Sequence, residues 1–70
     1  MEYRNQLCET FKSTEDMIHQ IEDDIENRDD VSENTRDIWK EMLKDLRHLR
    51  TSIEVALWSV YDFDVYTDLS

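Results

Sequence analysis

The sequence predicts an all-α protein: an antiparallel two-helix hairpin of coiled-coil type that dimerises into a four-helix bundle. The strongest sign is a run from Thr35 to Phe63. Its positions Thr35, Trp39, Met42, Leu46, Leu49, Ile53, Ala56, Val60 and Phe63 advance by alternating steps of four and three, and all but Thr35 are apolar. That spacing holds one stripe of a long helix against a neighbour. The second sign is the complete absence of glycine and proline. Without them the tight hairpin turns and left-handed corners of an all-β fold are hard to build, and no glycine-rich loop is present to cradle phosphate. The third is size. The chain has 70 residues, enough for one domain with a small core, and scaffolds this short usually add a disulfide, a metal or a second subunit. Cys8 is the only cysteine, so no internal disulfide can form and a homodimer is expected.

The first helix is expected over about residues 3–27. Leu7, Phe11, Ile18, Ile21 and Ile25 repeat the four-three rhythm with Thr14 in the remaining slot, while Tyr3, Cys8 and Met17 widen the stripe. The other faces carry Glu9, Glu15, Asp16, Glu22, Asp23, Asp24 and Glu26, the solvated exterior of a helix that buries one side. A turn is expected at about 28–33, where polar residues compete with the helix for backbone hydrogen bonds. Asp30 with Glu33 approximates a capping box for the next helix, with Ser32 and Asn34 as rival caps. The second helix is expected over about 34–63 and a tail over 64–70. From Tyr61 to Asp68 apolar and polar residues alternate in a period of two that suits an extended segment as well as a frayed helix end. The expectation is a tail folded over the dimer.

A short connection sends the second helix back along the first. Placing Ile25 opposite Thr35 brings Ile18 near Met42, Phe11 near Leu49, Leu7 near Ile53 and Tyr3 near Leu57. The first helix is then exhausted, yet Trp58, Val60, Tyr61, Phe63, Val65, Tyr66 and Leu69 still follow. This overhang predicts an aromatic end, with Val55, Trp58, Tyr61, Phe63 and Tyr66 as a dimer or partner interface, because a helix that is apolar nearly all round is buried on more than one side.

Charge narrows the function. The net charge is −10, from 18 acids against 8 bases, which repels nucleic acid and anionic lipid and steers the chain toward basic partners. Residues 15–33 hold nine acids against Arg28 alone, whereas residues 36–50 hold Arg36, Lys40, Lys44, Arg47 and Arg50 against three acids. The hairpin brings these opposite biases together. The row Arg36, Lys40, Lys44 and Arg47 is neutralised by Asp37, Glu41 and Asp45, so direct contact with nucleic acid is not expected. The lone thiol and a start without a basic, apolar leader point to the cytoplasm, and the longest apolar run, Val55 to Trp58, is far short of the roughly 20 residues that cross a bilayer.

No catalytic, cofactor or metal site is expected. Asp16 and His19 share the carboxylate-x-x-histidine spacing of di-metal bundles, but the heptad puts His19 outside, whereas such bundles project ligands inward. The acid-rich run Asp23 to Asp30 lacks the glycine that a calcium loop needs at its sharp turn. Cys8 has no base beside it. Two surfaces remain. Glu15, Asp16, Glu22, Asp23, Asp24, Glu26, Asp29 and Asp30 form an acidic face suited to a basic, nucleic-acid-binding protein, whose groove they would occlude as a nucleic-acid mimic. The expected function is therefore a non-catalytic, acidic protein-binding module acting as an inhibitor. The alternative is a coiled-coil adaptor that binds through its aromatic end.

Overall fold

A computed structural model describes residues 3–68 and is an all-α helical hairpin of two packed helices, α1 (Arg4–Asn27) and α2 (Glu33–Tyr61). Leu69, the last apolar residue of the expected overhang, lies outside the described residues. Helix α1 starts without a side-chain cap, and the Leu7 N–H donates to the Tyr3 carbonyl. Helix α2 is capped by Ser32, whose hydroxyl oxygen accepts from the Thr35 N–H at 3.2 Å. Asp30 takes no part in that cap. Its carboxylate accepts two bonds from the Arg28 guanidinium, at 3.0 and 3.2 Å. This exposed pair lowers the Asp30 pKa, first through the hydrogen bond, and raises that of Arg28.

The core faces differ from the expected seam. In α2 the most buried side chains are Leu43, Ile53 and Leu57, the last fully enclosed at 0% exposure. Of the seam residues, Met42 is 46%, Leu49 45% and Val60 70% exposed. On a helix turning about 100° per residue, Leu43 and Leu57 lie to one side of Leu46 and Ile53, while Met42, Leu49 and Val60 lie to the other. The heptad stripe is thus two overlapping stripes about 90° apart, and only one of them faces α1. In α1 the buried residues Phe11, Thr14 and Ile18 belong to the expected seam, whose other members Leu7, Ile21 and Ile25 are half-buried. The Thr14 hydroxyl donates to the Thr10 carbonyl at 2.7 Å, so its burial leaves no unmet donor.

The pairing register also differs, by about one to two turns. The Tyr3 N–H donates to the Tyr61 hydroxyl at 3.2 Å, the Arg4 guanidinium lies 5.8 Å from the Phe63 ring centre, and Arg28 lies 6.0 Å from that of Trp39. The two helices therefore finish level at the open end. What overhangs is the beginning of α2, because Arg28 and Ser32 have extended backbones that carry the link beyond the end of α1. Arg36 ties this projection back, donating to the Arg28 carbonyl and approaching Asp29 at 4.0 Å.

Helix α2 ends two residues before the expected Phe63. Asp62 adopts a left-handed conformation at φ 51°, its N–H reaching the Trp58 carbonyl and that of Phe63 the Leu57 carbonyl. In a chain without glycine, aspartate is among the few residues that tolerate this corner. The tail then closes into a turn rather than an extended segment. Asp64 accepts at its carbonyl from Thr67 and Asp68, and its side chain accepts from the Tyr66 N–H at 2.9 Å. This turn drives Val65, only 5% exposed, into a cluster with Phe11, Ile53 and Leu57, against which Leu7, Cys8, Tyr61 and Phe63 also pack. The tail folds over its own hairpin.

Candidate partner-binding site

The eight acids of the expected acidic face divide in two. Glu15 is 3.3 Å from Arg50, Glu22 2.8 Å from Arg47, Asp29 4.0 Å from Arg36 and Asp30 3.0 Å from Arg28. These four are engaged by the chain's own arginines. Asp16, Asp23 and Glu26 are exposed and Asp24 half-buried, and no ion pair joins them to a base among the described residues. The residual acidic face is therefore narrower than the sequence suggests. The Asp30–Arg28 pair is local to the link, whereas Arg36, Arg47 and Arg50 come from α2, and which acid each of them meets depends on a register that the sequence does not reveal.

The aromatic end is brought together more tightly. The docked tail leaves a groove against α2 lined by Thr51, Glu54, Val55, Trp58, Phe63, Asp64, Val65 and Tyr66. Four of the five expected aromatic-end residues meet there. Tyr61 does not: it packs half-buried on the core and receives the Tyr3 N–H. Trp58, 59% exposed, offers an indole beside an apolar floor made by Val55, Phe63 and Val65. Glu54 and Asp64 set carboxylates at the groove, and sequence reading missed both because they lie far apart in the chain and outside the acid-dense stretch. Between Thr51 and Asp68 there are four acids and no lysine or arginine. The Tyr66 hydroxyl donates to Glu54 at 3.3 Å. Desolvation, and then the charge of Glu54, hold the Tyr66 phenol above its ordinary pKa.

A second groove lies on the other side of the tail, between Phe11, Lys12, Glu15, Asp16 and His19 of α1 and Val65 and Tyr66. Here Lys12 and the Glu15–Arg50 pair offset the acids. His19 is exposed, 3.7 Å from Glu15. Among the described residues no three His, Cys, Asp or Glu side chains form a set that could hold a metal ion. Cys8 is half-buried against the core. No helix of the described residues is long and apolar enough to cross a membrane. No protein-family model, no curated protein and no solved structure matches this chain, which leaves its functional reading to the grooves and flanks of the hairpin.

Proposed function

We propose that this protein is a non-catalytic binding module, working in the cytoplasm as a pair of hairpins, that sequesters a basic protein. The contact is the groove beside α2. An arginine- and leucine-bearing segment of the partner lays its apolar side chains on Val55, Trp58, Phe63 and Val65, and its guanidinium groups meet Glu54, Asp64 and the indole face. The observation that carries this reading is the coincidence of an exposed tryptophan, an apolar floor and two carboxylates in a stretch without a single base. Tryptophan and tyrosine in such pockets dominate interface energetics, and a guanidinium over an indole adds a cation–π contribution. Occupying the basic surface of a nucleic-acid-binding partner would make the module an inhibitor by occlusion.

Calorimetric titration with a synthetic helical peptide bearing arginines on one face and leucines on the other tests this. Binding that weakens with salt, and is lost in Trp58→Ala and in the Glu54→Gln, Asp64→Asn double variant, supports the groove. Equal binding by those variants, or none by the wild type, overturns it. A second reading, in which α1 itself mimics a phosphate row, draws support from Asp16, Asp23, Asp24 and Glu26. It predicts that charge reversal at Asp23, Asp24 and Glu26 abolishes partner binding while Trp58→Ala does not.

A further inference from the structure

The large apolar side chains that remain exposed fall into two groups. Val55, Trp58 and Tyr66 line the groove just described. Tyr3, Met17, Ile38, Met42, Leu49 and Val60 are the others. Helical geometry puts all six on one flank of the hairpin. The ion pairs Glu15–Arg50 and Glu22–Arg47 mark the opposite flank, since at about 100° per residue Glu15 and Glu22 lie to one side of Ile18 in α1, and Arg47 and Arg50 to the corresponding side of Leu46 in α2. The tail and both grooves lie on that same side, over Lys12, Glu15, Thr51 and Glu54. By the same geometry Met17 and Ile21 in α1, and Ile38, Met42, Leu49 and Val60 in α2, turn the other way, where neither ion pairs nor tail cover them.

This uncovered flank is also nearly uncharged, in a chain with 37% charged residues. Along α1 it presents Tyr3, Gln6, Thr10, Met17 and Ile21, with the half-buried Asp24 as its one charge. Along α2, Asp45 is the one charge that accompanies Ile38, Met42, Leu49, Ser52, Ala56 and Val60. Its exposed threonine is ready for burial, because the Thr10 hydroxyl already donates to the Gln6 carbonyl at 2.8 Å. The hairpin measures 45 by 19 by 18 Å, so the outline of one flank is at most about 850 Å², room enough for the roughly 800 Å² that each partner gives a stable interface.

We infer that this flank is the self-association surface, occupied by the same flank of a second copy to complete a four-helix bundle. A second copy fits because the flank runs the whole length of both helices and needs a partner equally long, straight and poor in charge, which this chain supplies. The assignment rests on the pairing of hairpins in the functional reading, but it shares no side chain with the groove, so the two fail independently.

The test is mass in solution by light scattering, with helicity by circular dichroism. The wild type should have twice the 8.5 kDa chain mass, and the dimer should tighten from about 0.1 M to about 1 M salt, because two chains of charge −10 repel until screened. Met42→Glu with Leu49→Glu should weaken the dimer by about 100-fold or more with helicity intact. Val55→Glu with Trp58→Glu should leave it unchanged. If the doubly charged Met42 and Leu49 variant loses helicity, Met42→Ala with Leu49→Ala carries the test, expected to raise the dimer dissociation constant about tenfold or more. A wild-type monomer at both salts, a dimer that persists unchanged in the variants on the Met42 flank, or one lost in the Val55 and Trp58 variant overturns the assignment. A wild-type monomer whose Met42 and Leu49 variants lose a foreign protein partner overturns it as well.

Discussion

The backbone N–H of Tyr3 donates to the hydroxyl of Tyr61 at 3.2 Å, joining the start of α1 to the end of α2. The contact fixes where the two helices stop relative to one another, and it closes the end at which the sequence predicts an overhang. Tyr61 also packs on the core, so its ring and its hydroxyl can be separated by substitution. Tyr61→Phe removes one exposed hydrogen bond and should lower stability by about 0.5–1.5 kcal/mol at most. Tyr61→Ala also removes the packing and should lose about 2–4 kcal/mol. Urea unfolding followed by circular dichroism reads the difference, and equal losses in the two variants would show that the ring adds nothing.

Burial separates Leu57 from Leu49, two leucines that look equivalent in the sequence. Leu57 is enclosed by Phe11, Ile53 and Val65, and Leu57→Ala should cost about 2–5 kcal/mol. That is a large share of the total for a domain of this size. Leu57→Asp puts an unpaired charge in the core and should unfold the chain. Leu49→Asp, at a half-exposed position, should leave the hairpin helical while weakening self-association. Circular dichroism of the two aspartate variants decides: an unfolded Leu49 variant with a folded Leu57 variant would restore the seam that the heptad suggests.

The hairpin itself is legible in the sequence, because two amphipathic runs separated by a polar link have few alternatives. The buried face of α1 is legible too, since Phe11, Thr14 and Ile18 sit at the middle of its single narrow apolar stripe, between Leu7 and Ile25, in a charged helix. What escapes is the rotation and slide of α2. Its apolar residues cover two stripes, and the alternating four-three step threads between them, taking Met42 and Leu49 where α1 meets Leu43 and Leu57. The slide depends on the extended conformations of Arg28 and Ser32, which polar residues do not specify. The groove is half legible: Trp58 and Tyr66 announce an apolar end, but the roles of Glu54 and Asp64 depend on a tail that turns at Asp62.

That turn supplies its own test. Asp62 is the only described residue outside glycine's exemption that holds a positive φ, a conformation that disfavours side chains with a Cβ by about 1–2 kcal/mol. Asp62→Gly should therefore stabilise the protein by up to about 1 kcal/mol, and Asp62→Val should destabilise it and release the tail. At the other end of α2, Ser32→Ala removes the cap on Thr35 and should cost about 1 kcal/mol. Thermal melts rank the three. A stabilised Asp62→Val would mean that α2 continues past Tyr61 in solution.

The Tyr66 hydroxyl reports whether the tail stays docked. Its pKa is raised above 10.0, first by desolvation and then by Glu54, so the folded protein holds the phenolic proton more tightly than the unfolded chain does. The sign follows from linkage. The contribution of the neutral phenol is fully present below the unfolded pKa and is lost as pH rises through the folded one, so the tail should keep that contribution unchanged around neutrality and loosen at strongly alkaline pH. Glu54→Gln removes the negative charge but leaves the desolvation, and should bring the titration of Tyr66 part of the way down. Phenolate absorbance, measured in a background where Tyr3 and Tyr61 are phenylalanine, isolates this group. A midpoint that Glu54→Gln leaves in place would separate Tyr66 from Glu54, and with it the acid-rimmed groove from the tail that builds it.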